Sequence, residues 1–454
     1  MNASSTALGL ARAVAAGVDP VGFFRRHAPD DGPFTLRFPG LGEVVFFGTA
    51  AAARDLFSAA AAATQAPLPN PIEPVVGSGS LILLSGEKHR SERGLLMPAL
   101  HGERVKSYAD TFASATSDEL RTLRAGQSVP AYELAVQIAL QVAVRVVFSV
   151  ADPDRRRQYG DAVTELLRAN TAPLMLVPIL RREFGGRGPW ARLLRLRDHL
   201  DQLLSEDIAD RRDRGLTDSD MLNVLLSTAE EESRGRSEQE MHDQLRTLLA
   251  AGHETTASSL AWALYHIHRD DSVRERLIAE LAGRPSPIEM TTLPFLGAVI
   301  KESLRMHPPV PIVLRRLTSP FSICGVEYPA GRIVGIALYA LHFNPTIWSE
   351  PDQFVPERFL DKRISPFEYA PFGGGHRRCI GATFAASELA IAIGTILTTL
   401  ELEMPARDRS ASPPRGVPRG VAVAPARDIN LTVTGRLDSD ERQAPAERSS
   451  ARSD

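Results

Sequence analysis

Near its C-terminal end the chain reads Phe372-Gly373-Gly374-Gly375-His376-Arg377-Arg378-Cys379-Ile380-Gly381. One sulfur follows three glycines and two arginines, and an apolar helical stretch from Ala382 to about Leu400 comes directly after it. A thiolate there would sit beside unpaired N–H groups at a helix N-terminus, which favour the negative sulfur. Glycines let the backbone turn tightly and press against a flat partner without a Cβ between them. A lone cysteine is ordinarily a small buried hydrophobe; these neighbours argue for a charged one. A second stretch, Ala251-Gly252-His253-Glu254-Thr255-Thr256, reads as helix, with Ala251, Gly252, Thr255 and Thr256 recurring on one face. A hydroxyl beside an acid can hold water and relay protons. Mid-helix glycine costs about 1 kcal/mol relative to alanine, and a site needing room for a small ligand is a reason to keep it. His89 and Arg93 stand four apart on one helix face. A solvated basic face is the plain alternative for that pair.

The first stretch matches F-x-x-G-x-R-x-C-x-G, the haem-binding signature of the cytochrome P-450 superfamily, at Phe372, Gly375, Arg377, Cys379 and Gly381. The chain resembles that family in further signatures standing in the same order. The resemblance implies a mainly α fold with a small β region, the cytochrome P-450 fold. It implies haem b, iron protoporphyrin IX held non-covalently, with Cys379 as the axial thiolate on iron. Such a thiolate pushes electron density onto iron and favours O–O cleavage. Pro371, Phe372, Gly373, Ile380, Gly381, Ala251 and Thr255 are the implied cofactor contacts. His89, Arg93, Arg377 and Arg315 are the implied partners of the propionates, with Arg316 as the alternative to Arg315. Buried propionates need such cations, and each charge-assisted hydrogen bond contributes about 1.5–3 kcal/mol. In the resembled family Thr255 is the oxygen-activating threonine and Glu254 its acid; the plain alternative is a Thr255 that merely bonds to its own helix backbone. Thr247, Ala251, Val310, Pro311 and Ile312 are the implied substrate lining. Glu302, Arg305 and Arg358 form an implied buried ion network orienting the cysteine loop, of a kind that contributes specificity more surely than net stability.

The elements that must position these residues follow from local signals. Ser237-Glu238-Gln239-Glu240 is a capping box opening a helix that can run to Arg269. A helix over Thr292–Met306 carries Glu302 and Arg305. Prolines 308, 309 and 311 forbid helix and predict an extended segment to Arg316. Strands are expected at Phe34–Phe38, Glu43–Phe47, Ile323–Gly331, Ile333–Leu341 and Asn430–Thr434. Ala50–Thr64, rich in the best helix former, predicts one helix. The Pro67–Gly79 stretch is loop, and in the resembled family this region covers the substrate pocket. Helices over Glu103–Arg214 break near Pro173, Pro178 and Gly185–Pro189. That break is a lid over the entrance by resemblance, or a plain connection between helices.

Length suggests about three domains, but no linker divides the first 436 residues, and a single catalytic domain over 1–436 is expected. Residues 437–454 are polar and expected to be disordered. With 43% apolar and 24% charged residues and a net charge of −3, nothing points to nucleic acid as a partner. Two cysteines, Cys324 and Cys379, exclude a disulfide framework and suit a reducing cytoplasm. Cys324 reads as structural, in a strand and turn. Neither a signal peptide nor a membrane anchor is visible, and Leu134–Val150 reads as a core helix. The expected activity is insertion of one oxygen atom from O2 into an apolar small molecule (terpenoid, steroid, fatty acyl or polyketide-like). A separate ferredoxin and NAD(P)H-dependent reductase would supply electrons, the ferredoxin docking near Arg378. A peroxide-driven peroxygenase and a non-catalytic haem sensor or carrier are the rival readings.

Overall fold

The computed structural model describes residues 15–26, 32–38, 40–148, 152–170, 174, 180–182, 185–214, 221–223, 225–226 and 237–437. The tail beyond Leu437 and most of the apolar run after Pro173 lie outside these. Among the described residues the helices of eight residues or more are α1 (Ala50–Phe57), α2 (Gly86–Leu100), α3 (Ala109–Arg121), α4 (Ala131–Phe148), α5 (Pro153–Ala169), α6 (Pro189–Arg214), α7 (Glu238–Arg269), α8 (Asp271–Leu281), α9 (Pro294–Met306) and α10 (Ala382–Thr399). The protein is mainly helical with small sheets.

Helix α7 is the axis of the molecule. Both bonds of its capping box form: Ser237 Oγ accepts from Glu240 N–H at 3.2 Å, and Glu240 Oε2 accepts from Ser237 N–H at 3.1 Å. Its 32 residues make a rod of about 48 Å at 1.5 Å per residue. It packs against α4 and α10, which are apolar nearly all round, as buried helices must be. Both are long and apolar enough to cross a membrane, and both lie in the core cluster.

A five-stranded sheet has the order β1-β2-β8-β5-β3: β1 (Phe34–Phe38), β2 (Gly42–Phe47), β8 (Ile333–Ala337), β5 (Ile312–Leu317) and β3 (Thr64–Gln65). Only β2 and β8 are parallel. A second sheet joins β4 (Ser128–Pro130), β12 (Asn430–Arg436) and β9 (Leu400–Glu403), while β6 (Phe321–Ile323) and β7 (Val326–Tyr328) form a hairpin. Cys324 and Gly325 turn that hairpin with φ of 50° and 78°, the left-handed pair a two-residue turn requires.

Four local expectations change. The strand expected over Ile323–Gly331 is cut by the Cys324–Gly325 turn and survives only as Val326–Tyr328. The alanine-rich helix stops at Phe57, because the Phe57 backbone is pressed against the glycines of the cysteine loop. The strand from Ile333 ends at Ala337 and becomes a helical turn, Leu338–His342. Its partner β5 begins at Ile312, opposite Ala337, so no ladder remains beyond that point. A hairpin of β10 (Gly416–Arg419) and β11 (Ala422–Pro425) forms in the Pro/Arg-rich region. It carries Pro418, which is tolerated because the pair has free edges.

Candidate functional site

Cys379 stands two residues before Gly381, the N-cap of α10. Its N–H donates to Phe372 O at 2.9 Å, closing the glycine-rich loop on itself. Gly375 has φ of +67°, and a Cβ there would overlap the Phe57 carbonyl. Only glycine satisfies both conditions. The cysteine is accessible on one side, but protein crowds its sulfur and that desolvation pushes the thiol pKa up. The Gly381 N–H, Arg378 and Arg93 pull it down.

Five basic side chains gather nearby: His89 and Arg93 from α2, Arg315 from β5, and His376 and Arg377 from the cysteine loop. The rings of His89 and His376 lie 6.2 Å apart, edge to face. Burial, then Arg377, lowers the Arg315 pKa to about 9; burial, then Arg93, lowers that of Arg377 to about 10. His89 is pushed to about 4 by burial and then by Arg377, Arg93, His376 and Arg315. His376 is lowered for the same reasons. Among the described residues no carboxylate is paired with any of the five. Such a cluster is repulsive by itself and is made whole by a ligand with two negative charges. Haem brings two propionates, so these residues fit it. Arg315, not Arg316, belongs to the cluster: Arg316 reaches outward to Leu68 O at 2.7 Å and Gly331 O at 3.4 Å. Arg377 also donates to Ile82 O at 3.2 Å, to Leu84 O and to Ser85 Oγ at 3.0 Å. His376 was legible only as a member of the loop; no spacing rule marked it.

Helix α7 presents Ala251, exposed, and Gly252 and Thr255, part-exposed, on one open face. Thr255 Oγ1 donates to Ala251 O at 2.6 Å, leaving its oxygen lone pairs to accept. Glu254 turns the other way. It is buried, and its Oε2 accepts the Val421 N–H at the tip of the β10–β11 hairpin at 2.6 Å. One turn on, Ser258 Oγ donates to Val423 O at 2.6 Å. Burial raises the Glu254 pKa to about 7 against the pull of the Val421 N–H. Tyr132 stands near it, with Arg419 stacked 4.7 Å above the tyrosine ring. Thr256 donates to Glu388 Oε2 at 3.4 Å, joining α7 to α10. Val310 is exposed, Pro311 and Ile312 partly so, whereas Thr247 is buried with its hydroxyl between Ser80 Oγ (2.7 Å) and Asp243 O (2.5 Å).

The raised Glu254 pKa has a measurable consequence. Folding raises it from 4.5 to about 7, so the folded chain holds this proton more tightly, and stability falls as pH rises across that window. Glu254→Gln keeps an acceptor for Val421 N–H and cannot ionise. Its stability change between pH 5 and pH 8 is expected to be more favourable than wild type by about 2–4 kcal/mol. Urea midpoints at the two pH values check this, and parallel curves for the two proteins would refute it.

Behind the loop, Glu302 and Arg305 are fully buried and paired twice, Nε to Oε2 at 2.7 Å and Nη2 to Oε1 at 2.8 Å. Arg358 Nε reaches Glu302 Oε1 at 3.3 Å. Arg305 also donates to His342 O (2.9 Å), Pro351 O (2.9 Å) and Gln353 O (3.1 Å). His342, which no motif marked, links this network to the cysteine loop. Its Nε2 accepts from Ala370 N–H at 3.0 Å, so its Nδ1 carries the proton and donates to Arg305 O at 3.1 Å. Burial and Arg305 hold its pKa down to about 3, keeping it neutral.

A cysteine at a helix N-terminus, a basic cluster awaiting a dianion and a helix with an open hydroxylic face define a haem-thiolate protein. The cytochrome P450 family profile matches residues 19–430. A Mycobacterium bovis protein provisionally named cytochrome P450 135B1 is 33% identical over 376 residues, 81% of this chain and 78% of that one. A Mycobacterium tuberculosis protein provisionally named cytochrome P450 137 is 32% identical over 90% of this chain and 83% of its own length. Among solved structures, a retinoic acid-bound cyanobacterial CYP120A1 superposes with a TM-score of 0.77 at 24% identity, covering 89% of this chain and 92% of that one. The haem domain of cytochrome P450DA gives 0.78 at 24% identity, covering 92% and 93%. These two share the fold. The chain belongs to the cytochrome P450 family, and it is a monooxygenase with haem as its cofactor.

Proposed function

We propose that this enzyme inserts one oxygen atom from O2 into an apolar small molecule of terpenoid, steroid, fatty acyl or polyketide-like type, using electrons from a separate ferredoxin and its NAD(P)H-dependent reductase in the cytoplasm. The observation that carries the reading is the group of His89, Arg93, Arg315, His376 and Arg377 beside Cys379, with no carboxylate among the described residues paired with it. Those residues would hold the propionates, and Cys379, with Pro371, Phe372, Gly373, Ile380 and Gly381 around it, would hold the iron. When bound, haem supplies an iron centre that activates dioxygen, with the thiolate favouring O–O cleavage. Thr255 keeps a hydroxyl on the open face of α7, where its lone pairs can fix a water. Glu254, with its pKa near 7, exchanges a proton at neutral pH. Val310, Pro311 and Ile312 offer apolar surface and no charge to a substrate. Isotopically labelled dioxygen with NAD(P)H, ferredoxin and reductase should place one labelled atom in the product. Product formed only with peroxide would support a peroxygenase instead, and no product from a broad lipophilic panel a haem sensor or carrier.

Arg378 is exposed beside the cysteine loop and is not required by the signature. An acidic ferredoxin docking there should lose on-rate when Arg378 becomes Glu, because like charges suppress encounter. The reduction rate at low salt should fall about tenfold or more and lose its salt dependence. Reduction unchanged in stopped-flow measurements would remove the docking site.

A further inference from the structure

Residues Val75–Ser85 run between α7 and the cysteine loop, and both ends of that span are tied by side chains. From α7 four residues within about one turn reach it. Asp243 Oδ2 accepts Gly79 N–H at 2.8 Å. Gln244 accepts Leu81 N–H at 3.1 Å and donates to Gly79 O at 2.7 Å. Arg246 Nε donates to Val75 O at 2.9 Å, and Thr247 Oγ1 bonds Ser80 Oγ at 2.7 Å. From the other side Arg377 holds Ile82 O, Leu84 O and Ser85 Oγ. Arg246 is buried and is also paired with Asp243 and with Asp201 of α6, so a third element is locked to the same point. Gly77 has φ of +83°, and a Cβ there would overlap the Asp243 carboxylate. A segment without long secondary structure is ordinarily among the mobile parts of a protein; here its backbone groups have protein partners on both sides.

Ile82, whose carbonyl Arg377 holds, keeps a large apolar side chain exposed. Thr247 is one helical turn before Ala251, the first residue of the open face of α7. The span therefore bridges α7, one turn before that face, and the loop that carries Cys379. We propose that Asp243, Gln244 and Arg246 are positioning residues that clasp Val75–Ser85 as a fixed wall, so that the clasp sets how large a molecule enters quickly. This rests on the haem reading of the site.

The test uses the haem-loaded enzyme and two iron-binding probes, imidazole and the bulky azole clotrimazole. Gln244→Met removes both loop bonds of Gln244 while nearly keeping its volume. Its association rate with clotrimazole, read from the shift of the haem absorption band, should rise about tenfold, and that with imidazole should change less than about twofold. Equal changes for both probes, or none, in a variant with wild-type circular dichroism would overturn the clasp. Limited proteolysis without added probe is the second readout: cleavage within 75–85 should be faster in Gln244→Met, and an unchanged rate would also overturn it. Failure of imidazole to shift the wild-type band would sink the haem reading, leaving proteolysis to decide the clasp. If Gln244→Met does not fold, Ser80→Ala removes the Thr247 bond and the acceptor of the Ile82 N–H and should order the two probes the same way; failure to do so would count against the clasp.

Discussion

Cys379→Ala is expected to fold and to lose monooxygenase turnover to background. The residue is exposed and belongs to none of the hydrophobic core clusters, so its removal should shift stability by no more than about 0.5 kcal/mol. The loop that carries it is held by other groups: the Cys379 N–H to Phe372 O bond survives the substitution, as do the Gly375–Phe57 contact and the His342–Ala370 bond. The loss is therefore chemical. A sulfur anion at this point would tune the bound cofactor for O–O cleavage, and Cys324, which lies in the β6–β7 turn, cannot replace it. Reduced variant treated with carbon monoxide should lack the difference band of a thiolate-ligated haem, while its far-ultraviolet dichroism matches wild type. An unchanged carbon-monoxide spectrum would remove Cys379 as the iron ligand.

Glu302→Ala is expected to destabilise the protein by about 3–5 kcal/mol, the loss that follows when one partner of a buried ion pair is removed. The carboxylate accepts from Arg305 twice, from Arg358 and from Val355 N–H at 3.0 Å. Alanine leaves Arg305 with an uncompensated charge at full burial. The cost should be shared: Glu302→Leu combined with Arg305→Met should be less destabilised than the sum of the two single changes, since no lone charge remains. Haem content should fall along with stability, because Arg305 reaches the cysteine loop through His342 and Ala370. Urea midpoints and the haem-to-protein ratio measure both effects. Additive single and double variants would show that the pair is not coupled, and full haem loading in a destabilised Glu302→Ala would separate the network from the loop.

Family and fold class were legible in the chain because their signals are local. The cysteine signature is ten consecutive residues whose glycines, arginine and sulfur act within one loop. The α7 capping box is four residues whose bonds close within the first turn. His89 and Arg93 share a face by helix period alone. Other features depend on partners remote in sequence. Alanine content predicted helix to residue 64, yet Phe57 must end it, since Gly375 sits on its carbonyl more than three hundred residues later. The β10–β11 hairpin has no alternation strong enough to announce it, and it exists because Glu254, Ser258 and Pro309 hold it in place. The choice between Arg315 and Arg316 is a matter of which face of β5 meets the cysteine loop, and pairing with β8 decides that.

Composition and short-range pattern thus carried the family and the chemistry proposed for it: a sulfur that would meet iron, a hydroxylic helix face and cations that would meet two carboxylates. Tertiary packing alone decided where Glu254 points, that His342 and His376 join the site, and that Val75–Ser85 is tied down. The division has one cause. Backbone turns and helix faces are set by neighbours within a few residues, whereas burial and hydrogen-bond partners are set by whichever distant segment arrives.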